Sequence, residues 1–350
     1  MDPSAHSGKT SPVLAYFLHD FSPFIVKFGN GFGLRWYGLA YVIAFLLGYK
    51  LYSWLSARGY TEMTTEQVGD FITWAAVFGV MIGGRVGWIL FYGLKQDHSA
   101  DPWNWPLQVW KGGMSSHGGI LGLVFVTLWF SRRYKLSWTS IGDCLCAVAP
   151  IGLFVVRLAN FINGELYGKI SSAPWAVQFP TELTENAGEA GAFAHRFPEL
   201  VNHDPDAVED LVRQSQHGLL NFTAHMPPAV EQAFRDFLPA RHPSQIYEAF
   251  LEGVVLFLIL WIMRTRMRVP RGVITGAFFI CYAALRIVGE MFRVPDPAWS
   301  VGTFSAGQFL SLFMFLIGAA FIFWGFKTQE YEPCFATDHK PAGEENAEGS

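Results

Sequence analysis

Residues 140–164 read SIGDCLCAVAPIGLFVVRLANFING. The run exceeds the roughly 20 mostly apolar residues that a helix needs to cross a bilayer. Before Arg157 its one carboxylate is Asp143, and after it Asn160, Asn163 and Gly164 crowd polar and flexible groups into one end. A membrane helix with a functional end is therefore the starting expectation, and the rest of the chain extends it.

Of the 350 residues 51% are apolar and only 15% charged, against about a quarter charged in a soluble chain. Together with a mean hydropathy of +0.24, this excludes disordered, collagen-like, coiled-coil and small disulfide-stapled classes. A formal net charge of −4 gives no reason to expect a nucleic-acid partner. The four cysteines, Cys144, Cys146, Cys281 and Cys334, lack metal-ligand spacing and read as small packing residues.

Seven apolar segments are long enough to consider as spans: 36–57, 69–94, 117–131, 140–164, 245–264, 272–292 and 303–326. The expected fold is thus an all-α polytopic membrane protein with seven transmembrane helices. Arg58, Arg132, Arg133, Lys135, Arg264, Arg266, Arg268, Arg271 and Lys327 fall in one set of loops, which the positive-inside rule places in the cytoplasm. That orientation leaves the N-terminus outside, with residues 1–35 as an interfacial helix or hairpin. Helices 1–4 occupy 36–164, an external (periplasmic) head segment 165–244, helices 5–7 residues 245–326, and a polar, unstructured cytoplasmic tail 327–350.

Ionisable groups inside spans are costly and are functional candidates by default. Arg85, His117, Arg157, Glu165, Glu248, Arg286, Glu290 and Arg293 come from several segments but fall toward the same, outer side. A pore would need polar groups through its full depth. Tyr282, Arg286, Glu290 and Arg293 follow one helical stripe, and Arg157, Asn160 and Gly164 another. An ion pair between Arg286 and Glu290 that merely orients helices remains open, as does a plain end-group role for His117. Gly83, Gly84 and Gly87 suit close helix packing. Two or three arginines with amides and a histidine at lipid depth match a phosphodiester headgroup, because guanidinium binds phosphate oxygens bidentately and stays charged.

These residues resemble the bacterial prolipoprotein diacylglyceryl transferases. The resemblance rests on Leu34-Arg35-Trp36-Tyr37-Gly38, Gly83-Gly84-Arg85, His117-Gly118-Gly119, Arg157 to Gly168, Arg241-His242-Pro243-Ser244-Gln245-Ile246-Tyr247-Glu248, Leu285 to Asp296, and Ser305-Ala306-Gly307-Gln308. Val156 and Ala159 stand where the family usually has glycine, and residues 181–240 match poorly.

The resemblance implies transfer of sn-1,2-diacylglyceryl from phosphatidylglycerol to the lipobox cysteine of a preprolipoprotein signal peptide, at the bacterial inner membrane and without metal or cofactor. It implies catalytic roles for His117, Arg157, Arg286 and Tyr282. Arg85, Arg157, Asn160, Asn163, Glu165, Gly168, Arg286, Glu290 and Arg293 would form the headgroup site, with Tyr37 and Glu248 in support. A transporter or scramblase, and a seven-helix receptor-like protein, are the competing classes.

Overall fold

The computed structural model describes residues 16–29, 32–95, 105–108, 113–217, 226–294, 300–301 and 304–336. Among them, six helices are long and apolar enough to cross a membrane: Trp36–Ala57, Thr65–Phe91, Trp138–Asn163, Ser244–Arg266, Val273–Glu290 and Ser311–Thr328. The predicted segment 117–131 is also helical, as Ser116–Tyr134. Glycines, Ser116, His117 and the terminal Arg132 and Arg133 dilute its apolar content, and it is not among the six. Leu46, Leu90, Phe125, Leu258, Leu316 and Phe323 are each more than half exposed. Lipid solvates such surface without the penalty that water imposes. The chain is a multi-pass helical membrane protein.

Two compact units emerge. The first combines Met1–Leu39, Arg157–Glu248 and Val288–Pro297; the second combines Ala40–Val156, Ala249–Ile287 and Ala298–Ser350.

In the second unit, Thr64 starts a helix with a capping box, accepting from Gln67 N while the Gln67 side chain accepts from Thr64 N. Ser115 caps Ser116–Tyr134, which ends at left-handed Lys135. The first helix of this pair runs on as a π-helical stretch, Ala75–Ile82, into Gly83–Phe91. It approaches Ser116–Tyr134 through glycines: a Cβ on Gly83 would lie 2.8 Å from Gly118 O and 3.0 Å from Gly122 Cα. This is the small-residue packing the sequence predicts, and it lets two membrane helices meet backbone to backbone. Tyr52, Phe71, Phe130, Ile141, Leu256 and Leu260 form the neighbouring core.

The tail differs from expectation. Residues 327–350 read as unstructured, yet Arg271 N donates to Glu330 O (2.7 Å) and Cys334 N to Gly59 O (3.0 Å). Glu332 is fully buried, 3.0 Å from Arg264 and 3.4 Å from Arg271, and accepts from Ser140 Oγ at 3.0 Å. Burial pushes its carboxyl up, opposed by the two guanidiniums. Arg264, counted by sequence among the loop cations, is itself 1% exposed. Asp143, seemingly isolated in sequence, accepts from Gly272 N (2.8 Å) and from Thr275 N (2.8 Å) and Oγ1 (2.7 Å). Composition shows that a segment is polar; it does not show that one of its carboxylates matches a buried arginine.

Without Glu332, buried Arg264 keeps only the longer contact to Asp143 (3.9 Å), while Arg271 keeps Glu62 (2.6 Å); breaking a buried pair costs up to about 3–5 kcal/mol. Glu332→Gln therefore lowers the thermal midpoint in detergent strongly. Glu330→Gln, whose side chain is 60% exposed, leaves it nearly unchanged. Equal midpoints for the two variants would remove the structural role assigned to Glu332.

In the first unit the N-terminal expectation is realised as a hairpin, with Phe24–Gly29 antiparallel to Phe32–Arg35. Phe17–Leu18 pairs in parallel with Val177–Gln178. Helices Ala187–Arg196, Pro205–His217 and Pro228–Phe237 enclose Phe193, Val208, Val212 and Phe234, so the segment predicted as a head has its own apolar core.

Candidate functional site

The functional end of Trp138–Asn163 belongs to the first unit. Gly164, at φ +69°, turns the chain out of the helix, and Glu165 N still reaches back to Asn160 O (3.2 Å). His19 secures this end, its Nε2 donating to Phe161 O at 2.6 Å. Burial lowers its pKa, keeping it neutral.

Arg157 Nε lies 3.0 Å from Glu248 Oε2, and Arg293 Nη1 lies 3.1 Å from Glu248 Oε1. Two guanidiniums thus converge on one carboxylate that is completely buried. Asn160 Nδ2 donates to Glu165 Oε1 at 2.8 Å and to Tyr37 Oη. Six expected residues, Tyr37, Arg157, Asn160, Glu165, Glu248 and Arg293, are thereby brought into two hydrogen-bonded groups of this unit. Asn163 has a buried Oδ1 in the same turn, and Glu290 is also buried.

Gly168 supplies the strap that holds Arg293. Its N donates to His242 O (2.9 Å), Lys169 N donates to Phe292 O (2.8 Å), and Gly168 bridges Arg293. A Cβ here would lie 2.5 Å from Phe292 O and 2.6 Å from His242 O. Both obstacles are backbone, so Gly168→Ala must displace the strap, at about 1–3 kcal/mol for overpacking. We expect a lower melting point and loss of activity; normal values for both would show that the strap yields.

Beside the strap, Arg241 forms an ion pair with buried Glu182. Tyr167 lies under the Arg241 guanidinium, 5.1 Å from ring centroid to Cζ. Burial first, and the Glu185 carboxylate next, push the Tyr167 phenol well up, so it remains protonated at any physiological pH.

The other expected residues lie in the second unit. Arg286 Nη1 is 3.4 Å from Glu252 Oε1, a fully buried carboxylate that the sequence reading passed over. The signal was available: Glu252 is an ionisable group within an apolar span. It sits in the π-helical stretch Ala249–Val255, and such stretches recur at functional sites. Tyr282 stacks on Phe278, with centroids 5.8 Å apart. His117 occupies the first turn of Ser116–Tyr134 with its side chain exposed, open to a reacting partner.

Arg85, expected at the headgroup, makes several backbone contacts. Its Nε, Nη1 and Nη2 donate to the carbonyls of Pro106 (2.8 Å), Gly113 (2.9 Å) and Trp105 (2.7 Å), and the guanidinium lies over Trp88. These contacts make it an anchor for the backbone at Trp105, Pro106 and Gly113.

The geometry defines a polytopic membrane protein with buried guanidinium–carboxylate pairs and a cluster of amides. Its family follows from comparison with known sequences. A family model described as prolipoprotein diacylglyceryl transferase matches residues 23–324, and this chain belongs to that family. Among its relatives, phosphatidylglycerol–prolipoprotein diacylglyceryl transferase of Bdellovibrio bacteriovorus is 36% identical, with 86% of this chain and 92% of the relative covered. The protein of that name from Proteus mirabilis is 36% identical (87% and 92% covered). That from Coxiella burnetii is 34% identical (85% and 93%).

Proposed function

We propose that this chain transfers the sn-1,2-diacylglyceryl group of phosphatidylglycerol to the lipobox cysteine thiol of a preprolipoprotein, the first step of lipoprotein maturation. The observation that carries the residue assignment is the convergence of Arg157 and Arg293 on buried Glu248. Buried ion pairs add little net stability, whereas a fixed guanidinium is well placed to receive a phosphate. Family membership carries the reaction.

The thiolate attacks the glyceryl carbon that bears the phosphodiester oxygen. A carbon–sulfur bond forms, the carbon–oxygen bond breaks, and its electron pair leaves on glycerol phosphate. Arg157 and Arg286 stabilise the charge growing on that leaving group. A free thiol is only a few per cent ionised at neutral pH, and His117 takes its proton. Tyr282 orients the phosphate. Arg85, Asn160, Asn163, Glu165, Gly168, Glu290 and Arg293 shape the headgroup pocket, and Tyr37 and Glu248 hold them in place.

The membrane arrangement belongs to the same proposal. Ser116–Tyr134 is the seventh transmembrane helix: its 19 residues span about 28 Å at 1.5 Å each, close to the roughly 30 Å hydrocarbon core. The loop arginines favour a periplasmic N-terminus, active site and head (165–244), with a cytoplasmic C-terminus, in the bacterial inner membrane.

Purified protein, phosphatidylglycerol and a one-cysteine lipobox peptide test this directly. Mass spectrometry should find a diacylglyceryl adduct on the peptide, absent from its Cys→Ser counterpart, together with free glycerol phosphate. No adduct from folded, lipid-binding protein would overturn the proposal.

A further inference from the structure

Gln245 opens the helix Ser244–Glu248 and is completely buried. Its Nε2 donates to Glu165 O at 2.6 Å, which orients the amide and turns Oε1 away from that carbonyl. Among the described residues no donor reaches Oε1, although the atom is buried. Asn160 repeats the pattern on the same neighbour: its Nδ2 is engaged by Glu165 Oε1 and Tyr37, while its buried Oδ1 receives no hydrogen bond. Asn163, two residues before Glu165, also has a buried and unmatched Oδ1.

Three side-chain amides around Glu165 thus present acceptors. Buried polar atoms are nearly always matched, so the cluster calls for a ligand rich in donors. The amide oxygens are neutral, and each suits one O–H group. An ammonium headgroup concentrates its hydrogens at one point. Vicinal hydroxyls distribute their hydrogens over separate acceptors and carry no charge.

We propose that Gln245, with Asn160 and Asn163, reads the hydroxyl groups on the terminal glycerol of the donor lipid, which makes Gln245 a specificity-determining residue. The inference rests on the diacylglyceryl-transfer reading above. It adds a residue outside the expected site and assigns the recognised chemistry to the part of the headgroup remote from the bond that breaks.

The test uses full-length protein in nanodiscs, the lipobox peptide and two donors, phosphatidylglycerol and phosphatidylpropanol. The second retains the phosphodiester and lacks both headgroup hydroxyls. A lost hydrogen bond to a buried acceptor changes kcat/KM about tenfold, so the wild type should favour phosphatidylglycerol by about 100-fold. In Gln245→Met the ratio should fall to about tenfold or below. Gln245→Glu keeps acceptor oxygens but loses the donor to Glu165; its rates should fall while preference for phosphatidylglycerol persists. Equal use of both donors by the wild type would overturn the proposal without any variant. An unchanged ratio in Gln245→Met, with both rates reduced, would also overturn it and leave Gln245 as a support for Glu165. An adduct from neither donor, with folded protein, would instead count against the transferase reading itself.

Discussion

Arg157→Ala and Arg286→Ala, made separately, each abolish diacylglyceryl transfer while leaving a protein that inserts in the membrane. Loss of one electrostatic stabiliser of a developing charge costs about 10²–10³ in kcat. Here the charge develops on a phosphate monoester, for which a guanidinium provides paired donors and a lysine does not. Arg157→Lys should consequently recover little activity. Glu248 retains Arg293 at 3.1 Å when Arg157 is removed, so its buried carboxylate keeps a charged partner and the fold survives. Arg286→Ala removes the guanidinium 3.4 Å from buried Glu252. The measurements are adduct formation, membrane fractionation and thermal midpoint. Substantial activity in both alanine variants would remove the arginines from the leaving-group role.

His117→Gln should lower the rate by about 10²–10⁴, the usual contribution of a positioned general base. Its first-turn position and exposed side chain make a packing defect a poor explanation for such a loss. Phosphatidylglycerol binding should persist, because the base acts on the thiol. Raising the pH, which ionises the peptide thiol without assistance, should recover part of the variant's rate. Loss of lipid binding with no recovery at high pH would make His117 a headgroup contact instead.

The helices were legible because each is an apolar run of spanning length. Trp36–Ala57 has the predicted limits, and with the last helix taken over its full extent, Ala306–Thr328, the other limits shift by at most four residues. For the candidate site, helical spacing grouped Arg157 with Asn160 and Arg286 with Glu290. Spacing within a helix says nothing about partners on another. Glu248 could therefore be given only a supporting place, although it receives both Arg157 and Arg293, and Glu252 was passed over.

The buried contact of Glu332 with Arg264 and Arg271 also bears on biogenesis. Both arginines leave the ribosome long before Glu332, which is translated only after the helix ending at Thr328. During that interval Arg271 has Glu62 (2.6 Å) and Arg264 has Asp143 (3.9 Å) as earlier-made partners, so the buried network is one carboxylate short rather than bare. Completion of this end of the protein is consequently post-insertional, and a ribosome stalled before residue 332 would leave its product open to quality-control proteolysis.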